Sequence, residues 1–205
     1  RYDRGECVII IGMTGGSGSG KSYIAARMVE RGAKWVDADA VYHKLLAESR
    51  ALRNAILAQF PAANDGSGHI NRKKLAAIVF TNDKALMELN AITHPFVIRA
   101  IEEEIGEYYR CNQAFAVIDA VALFESGLNQ MCDATIGVLA DAPTRVRRIM
   151  ARDGLDETRA RARIAAQQKD EFYRKKCDYI IENSDDSAPD AQIEQIMESI
   201  LEETE

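Results

Sequence analysis

The stretch Gly15-Gly16-Ser17-Gly18-Ser19-Gly20-Lys21-Ser22 constrains this chain more than any other part of it. Its spacing is G-x-x-x-x-G-K-[ST], that of a loop whose backbone N–H groups cradle phosphate. Glycines let the backbone turn several N–H groups toward one anion. The flanks agree with that reading. Val8-Ile9-Ile10-Ile11 is a short β-branched run that suits a buried parallel strand. Tyr23 to Arg31 carries apolar residues at helical spacing, so the order is strand, glycine loop, helix. The helix adds its positive dipole end. Lys21 is predicted to reach the outer phosphates as a point charge, and the Ser22 hydroxyl to ligate Mg²⁺. A merely flexible Gly/Ser loop would not need this context.

A length of 205 residues suits one α/β unit with an inserted subdomain, and 47% hydrophobic content is ordinary for a globular core. The formal net charge of -6 argues against a general nucleic-acid surface. No run approaches the roughly 18 apolar residues of a membrane span, and the polar opening residues 1–6 lack a secretion-signal core. Cys7, Cys111, Cys132 and Cys177 form no C-x-x-C pair, and no His lies at metal-ligand spacing. They read as reduced cysteines of a cytoplasmic protein, with burial the expected role of Cys7 and Cys132. Oligomeric state is not legible.

Residues 34–37 read as the second strand, with Asp37 and Asp39 at its carboxyl end. In open parallel sheets that edge faces the ligand crevice. Asp39 sits where phosphoryl transfer needs a general base; if the chain stays extended, both carboxylates point to one side. Capping of a helix starting near Ala40 is the alternative, and for Asp37 the two readings stand level. Residues 40–60 read as helical, followed by Pro61 and a turn over 64–68. A helix begins after Asn71, a plausible N-cap, and another covers Lys84 to Asn90. His94-Pro95 marks a break before an amphipathic helix from Phe96 to Tyr109, with Phe96, Val97, Ala100, Ile101 and Ile105 on one stripe. Residues of about 40–110 are therefore an all-helical insertion.

Phe115 to Asp119 is the third strand, closed by an acid that resembles a strand-end Mg²⁺ ligand, partly through water. Residues 134–139 are the fourth strand and 178–183 the fifth. A final amphipathic helix covers 188–205, with Ile193, Ile196, Met197, Ile200 and Leu201 inward. Between strands four and five, arginines crowd a helical hairpin broken at Asp153-Gly154-Leu155-Asp156. Such a hairpin suits a mobile lid over a polyphosphate. Arg148 and Arg152, four apart on one face, are the expected phosphate contacts. Arg159 and Arg161 fit a solvated face paired with Asp156 or Glu157. Five alternating strands give an α/β fold, a parallel sheet between helical layers.

The ordered motifs resemble dephospho-coenzyme A kinase over residues of about 8–185. They are Thr14 to Ser22, Asp37-Ala38-Asp39, Ile70-Asn71-Arg72 with Leu75 and Phe80, His94-Pro95, Leu123-Phe124-Glu125-Ser126-Gly127, Arg148 to Leu155, Arg163 to Gln167, and Asp178 to Asn183. The resemblance implies a five-stranded P-loop kinase core (7–39, 112–145, 178–205), a helical coenzyme-binding insertion (40–111) and a lid (146–177). It implies transfer of the ATP γ-phosphoryl group to the ribose 3′-hydroxyl of dephospho-CoA, with Asp39 as base. Asp39, Lys21 and Arg148 form the catalytic set. The ATP-binding set runs Gly16, Ser17, Gly18, Ser19, Gly20, Lys21, Ser22 and Tyr23, with Arg148, Arg152 and Asn183. Tyr23 lies just outside the phosphate cradle proper. Asp39, Arg72, His94 and Leu123 stand toward the acceptor, and Ser22 with Asp119 toward Mg²⁺. Two departures from the family pattern are Val121-Ala122, where Pro-Leu is usual, and Tyr23, where Thr is common.

Two other readings compete. One is a different small-molecule P-loop kinase, against which Asp37-Ala38-Asp39 and His94-Pro95 weigh. The other is a GTP-dependent switch, for which no N-K-x-D motif follows a strand.

Overall fold

The computed structural model describes residues 8–110 and 114–204. The polar lead-in, Cys7 and Cys111 lie outside the described residues. The chain runs β1 (Ile9–Thr14), α1 (Lys21–Glu30), β2 (Lys34–Asp37), α2 (Ala38–Glu48), α3 (Arg50–Gln59), a 3₁₀ turn at Pro61–Ala63, α4 (Arg72–Val79) and α5 (Asp83–Arg110). It continues with β3 (Phe115–Asp119), a 3₁₀ turn at Leu128–Met131, β4 (Ala134–Leu139), α6 (Ala142–Asp153), α7 (Glu157–Ala165), α8 (Asp170–Lys176), β5 (Tyr179–Glu182) and α9 (Pro189–Thr204).

The strands form one parallel sheet in the order β2-β3-β1-β4-β5. β1 sits at its centre and pairs in parallel with β3 and β4, while β4 pairs with β5. The register sets Met13 beside Asp119 and Thr14 beside Gly137. The carboxyl ends of β1, β3 and β4 are therefore level, and the loop after β1 leaves from the middle of that edge. The chain leaves β1 toward β2 on one side and leaves β4 toward β5 on the other, a switch point where α/β sheets bind ligands. Strand β1 extends through Gly12, Met13 and Thr14, beyond the β-branched run, because pairing on both sides overrides glycine's weak strand propensity.

Two compact units divide the chain. One comprises Arg1–Val36 with Tyr108–Glu205. In its core, Ile11 and Met13 of β1 pack with Ile24, Ala25 and Met28 of α1 and with Ile193, Ile196, Met197 and Ile200 of α9. Each of the isoleucine and methionine side chains contributes about 1.5–3 kcal/mol by leaving water. Arg27 of α1 and Arg31, which caps its end, also grip Asp190 of α9. Leu201 is exposed rather than inward: the buried stripe ends at Ile200, and the next residue turns about 100° away from it.

The other unit is Asp37–Glu107. Leu52 and Ile56 of α3, Leu75 and Val79 of α4, and Ala85 and Leu89 of α5 form its core. Helices α2 and α3 are separated at Ser49, whose hydroxyl accepts from the Leu52 N–H and starts α3. Asn71 caps α4 by accepting from the Lys74 N–H, as its place in the sequence predicts. The expected break at His94-Pro95 does not occur, because α5 runs through Pro95. Proline forfeits one helical hydrogen bond. The continuous buried stripe Leu89, Thr93, Val97, Ile101 and Ile105 outweighs that local cost.

Candidate active site

The phosphate loop is built by close packing as much as by flexibility. A methyl group on Gly16 would meet Arg145 Nη2 at 2.3 Å. Gly20 has φ of 92°, and a methyl group there would stand 2.2 Å from Asn183 Nδ2. At Gly20 glycine is thus favoured by conformation as well as by contact, while at Gly16 a side chain would have to displace the Arg145 guanidinium.

Gly20 is also the N-cap of α1, with no side-chain cap and no acid in the first turn. By contrast, α2, α3, α4, α6 and α7 each begin with an Asp, Ser or Asn that accepts from their first turn. The Tyr23 and Ile24 N–H groups donate to the Gly20 carbonyl, which leaves the first two N–H groups of α1, those of Lys21 and Ser22, facing the place where the dipole favours an anion.

Cations gather on the loop. Lys21 Nζ donates to the Gly15 carbonyl at 3.2 Å and lies 3.9 Å from Asp119 Oδ1. Arg148 Nη1, from α6, donates to the carbonyls of Gly18 at 3.3 Å and Ser19 at 3.2 Å. Asn183, buried just after β5, donates to the same Ser19 carbonyl at 2.8 Å. The structure therefore brings together Gly16, Ser17, Gly18, Ser19, Gly20, Lys21, Arg148, Asn183 and Asp119 in one unit. Ser22 and Tyr23 are exposed in the first turn of α1.

Arg152 is placed differently. Its guanidinium forks onto Asp153, Nε to Oδ1 at 2.8 Å and Nη2 to Oδ2 at 2.9 Å, and Asp153 also receives Arg163. Arg152 foremost, with Arg163 helping, holds the Asp153 carboxyl below the usual carboxylate range. Here Arg152 joins the α6–α7 turn and, among the described residues, makes no hydrogen bond to the loop; one i,i+4 step along α6 from Arg148 carries it past the loop to the helix end. Arg161 pairs with Glu157 and Arg159 with Asp156, the solvated face expected for them.

Sequence reasoning missed Arg145. It is 6% exposed, its Nε donates to the Ser17 carbonyl at 2.9 Å, and Asp170 lies 3.7 Å away. Arginines are ordinarily exposed. The available signal was its position three residues before Arg148, on the same helical face.

Asp37 is the N-cap of α2, its Oδ1 accepting from the Ala40 N–H at 2.9 Å. The helix begins at Ala38, so the two carboxylates are not on one side of an extended strand. Asp39 is exposed in the first turn. Arg72 is exposed at the start of α4, where its charge partly opposes the upward push of burial on the Tyr42 hydroxyl. His94 is half-buried on α5, and burial lowers its pKa.

Leu123 is fully buried, and its methyls reach to within 3.0 Å of the space a methyl on Gly12 would fill. It packs against Gly12 of β1 and offers no open face. Val121, where the related pattern has proline, is exposed while its carbonyl accepts from Thr14 Oγ1 at 3.0 Å. Burial pushes the Cys132 and Cys177 thiols up to about 12, so both stay protonated at neutral pH.

A family model described as dephospho-CoA kinase matches residues 9–189. A dephospho-CoA kinase of Moorella thermoacetica is 40% identical over 162 residues, spanning 78% of this chain and 76% of that protein. The solved dephospho-CoA kinase of Campylobacter jejuni superposes with a TM-score of 0.65 at 28% identity, covering 96% of this chain and 98% of its own. A crystal structure from Thermus thermophilus reaches 0.77 at 33% identity, covering 96% and 97%.

Proposed function

The chain belongs to the dephospho-CoA kinase family, and from that membership we propose that Lys21, Arg148 and Asp39 divide the work of its reaction. That reaction is the ATP-dependent phosphorylation of dephospho-CoA, the last step of coenzyme A biosynthesis. The observation that carries the assignment is the uncapped N-terminus of α1 on Gly20, with Lys21 and Arg148 converging on the same loop.

The first-turn N–H groups of α1 bind the β- and γ-phosphates. Lys21 already lies against the loop, and on nucleotide binding it exchanges the Gly15 carbonyl for phosphate oxygens. Arg148 stands where it can stabilise charge on the moving phosphoryl group. Asn183 and Arg148 hold the Ser19 carbonyl and so keep the loop's N–H groups turned toward the ligand. Asp39 accepts the proton of the ribose 3′-hydroxyl as the new O–P bond forms. Arg72 and His94 are assigned to the acceptor side. The helical unit 37–107 is assigned to the coenzyme and the α6–α7 hairpin to a lid. A cytoplasmic location goes with this role.

Ser22 and Asp119 suit Mg²⁺. They supply hard oxygen donors, one exposed hydroxyl and one carboxylate at a strand end, and Mg²⁺ is ordinarily held by few protein groups together with phosphates and water. When bound, the ion neutralises phosphate charge.

The test is ADP release with ATP and a panel of acceptors. Dephospho-CoA should be phosphorylated, and shikimate and nucleoside monophosphates should not. Preference for another acceptor would remove the assignment.

A further inference from the structure

Gln167 lies between α7 and α8 and belongs to none of the roles assigned above. Its side-chain oxygen accepts from the Ser17 backbone N–H at 2.8 Å and from Arg145 Nη2 at 3.0 Å. Its side-chain nitrogen donates to Ser17 Oγ at 2.9 Å. Arg145 completes the set by donating to the Ser17 carbonyl. The N–H, hydroxyl and carbonyl of Ser17 are thus all engaged from the segment that carries α6 to α8.

This juxtaposition is specific in chemistry. A backbone N–H and a hydroxyl can be met together only by a group with an acceptor and a donor side by side, or by two acceptors if the hydroxyl reverses. Ser17 sits between Gly16 and Gly18, where the backbone has little conformational preference of its own. A methyl on Gly16 would stand 3.0 Å from Gln167 Oε1, so the amide is packed against the loop as well as bonded to it.

We propose that Gln167 is a positioning residue that sets the shape of the phosphate loop for phosphoryl transfer, acting through Ser17 and Arg145. The loop and the hairpin then settle together, and misplacing Ser17 costs rate rather than nucleotide affinity. The proposal rests on the kinase reading.

The test compares Gln167→Ala with Gln167→Glu. The glutamate keeps an acceptor for the Ser17 N–H and Arg145, and its second oxygen can accept from the Ser17 hydroxyl. Gln167→Ala should lower kcat at least about tenfold with the KM for ATP within about threefold, and Gln167→Glu should recover most of the loss. Without nucleotide, hydrogen exchange over 15–22 should quicken in Gln167→Ala and not in Gln167→Glu, while β1 and β4 stay protected. Wild-type kcat in Gln167→Ala, equal damage in both variants, or unchanged exchange over 15–22 would each overturn the proposal. If the wild type fails to phosphorylate dephospho-CoA, the kinase reading falls. The exchange comparison needs no acceptor and still decides whether Gln167 holds the loop.

Discussion

The side-chain amide of Asn183 donates to the Ser19 carbonyl at 2.8 Å, tying the residue after β5 to the phosphate loop. Arg148 reaches the same oxygen from α6 at 3.2 Å. One carbonyl is thus held by two donors far apart in sequence, and the helix start beyond it remains uncapped.

Gly20 has no room to change. Gly20→Ala puts a methyl into the Asn183 amide and forces alanine into a left-handed backbone, at about 1–2 kcal/mol for the conformation alone. The expected outcome is ATP affinity lowered at least about tenfold, since displacement of Asn183 adds to that cost. Calorimetric titration with ATP checks it, and an unchanged dissociation constant would contradict it.

Arg148 and Arg152 should separate cleanly. Arg148→Ala removes the cation that lies on the loop and should lower kcat by about 10²-fold or more with a smaller effect on acceptor binding. Arg152→Ala breaks an exposed pair at the α6–α7 turn and should leave kcat within about threefold. Steady-state kinetics of the two variants, side by side, decide this; equal losses would place Arg152 at the phosphates as well.

How far the sequence disclosed this arrangement depends on the range of the forces involved. β3 and β4 were legible as apolar runs, and Asn71 as a cap, because each is decided within a few residues. The continuity of α5 through Pro95 was not, since a stripe of buried side chains outweighs a local breaker. Lys21, Arg148 and Asn183 were readable from motif order. Arg145 was not, and Gln167 stood in a motif without a role, because their contacts span 128 and 150 positions. The hydrogen bond from Ala40 to Asp37 shows the cap, one of two readings the sequence alone left level.

His94 should leave a mark on stability. Burial lowers its pKa from the ordinary 6.5, so the folded protein binds this proton less readily than the unfolded chain. Its contribution is fully present above the unfolded pKa and is lost as pH falls from there toward the folded value. Urea midpoints measured downward from about pH 7 should therefore decline in the wild type, with a shallower decline in His94→Gln. Asp153 and Asp190, held low by arginines, act in a separate and more acidic window below 3.8. Identical slopes in the two proteins would contradict a burial effect on His94 protonation.

Asp39 offers the most direct measurement. Asp37 already caps α2, so capping no longer accounts for Asp39, and charge loss in the first turn costs at most about 1 kcal/mol of stability. Asp39→Asn keeps size and shape and removes the proton acceptor. With ATP and dephospho-CoA, its kcat should fall by about 10²–10⁴ while both dissociation constants change little. Asp37→Asn, which retains a good cap, should stay near wild type. An Asp39→Asn enzyme within about twofold of wild-type kcat would contradict general-base catalysis at this carboxylate.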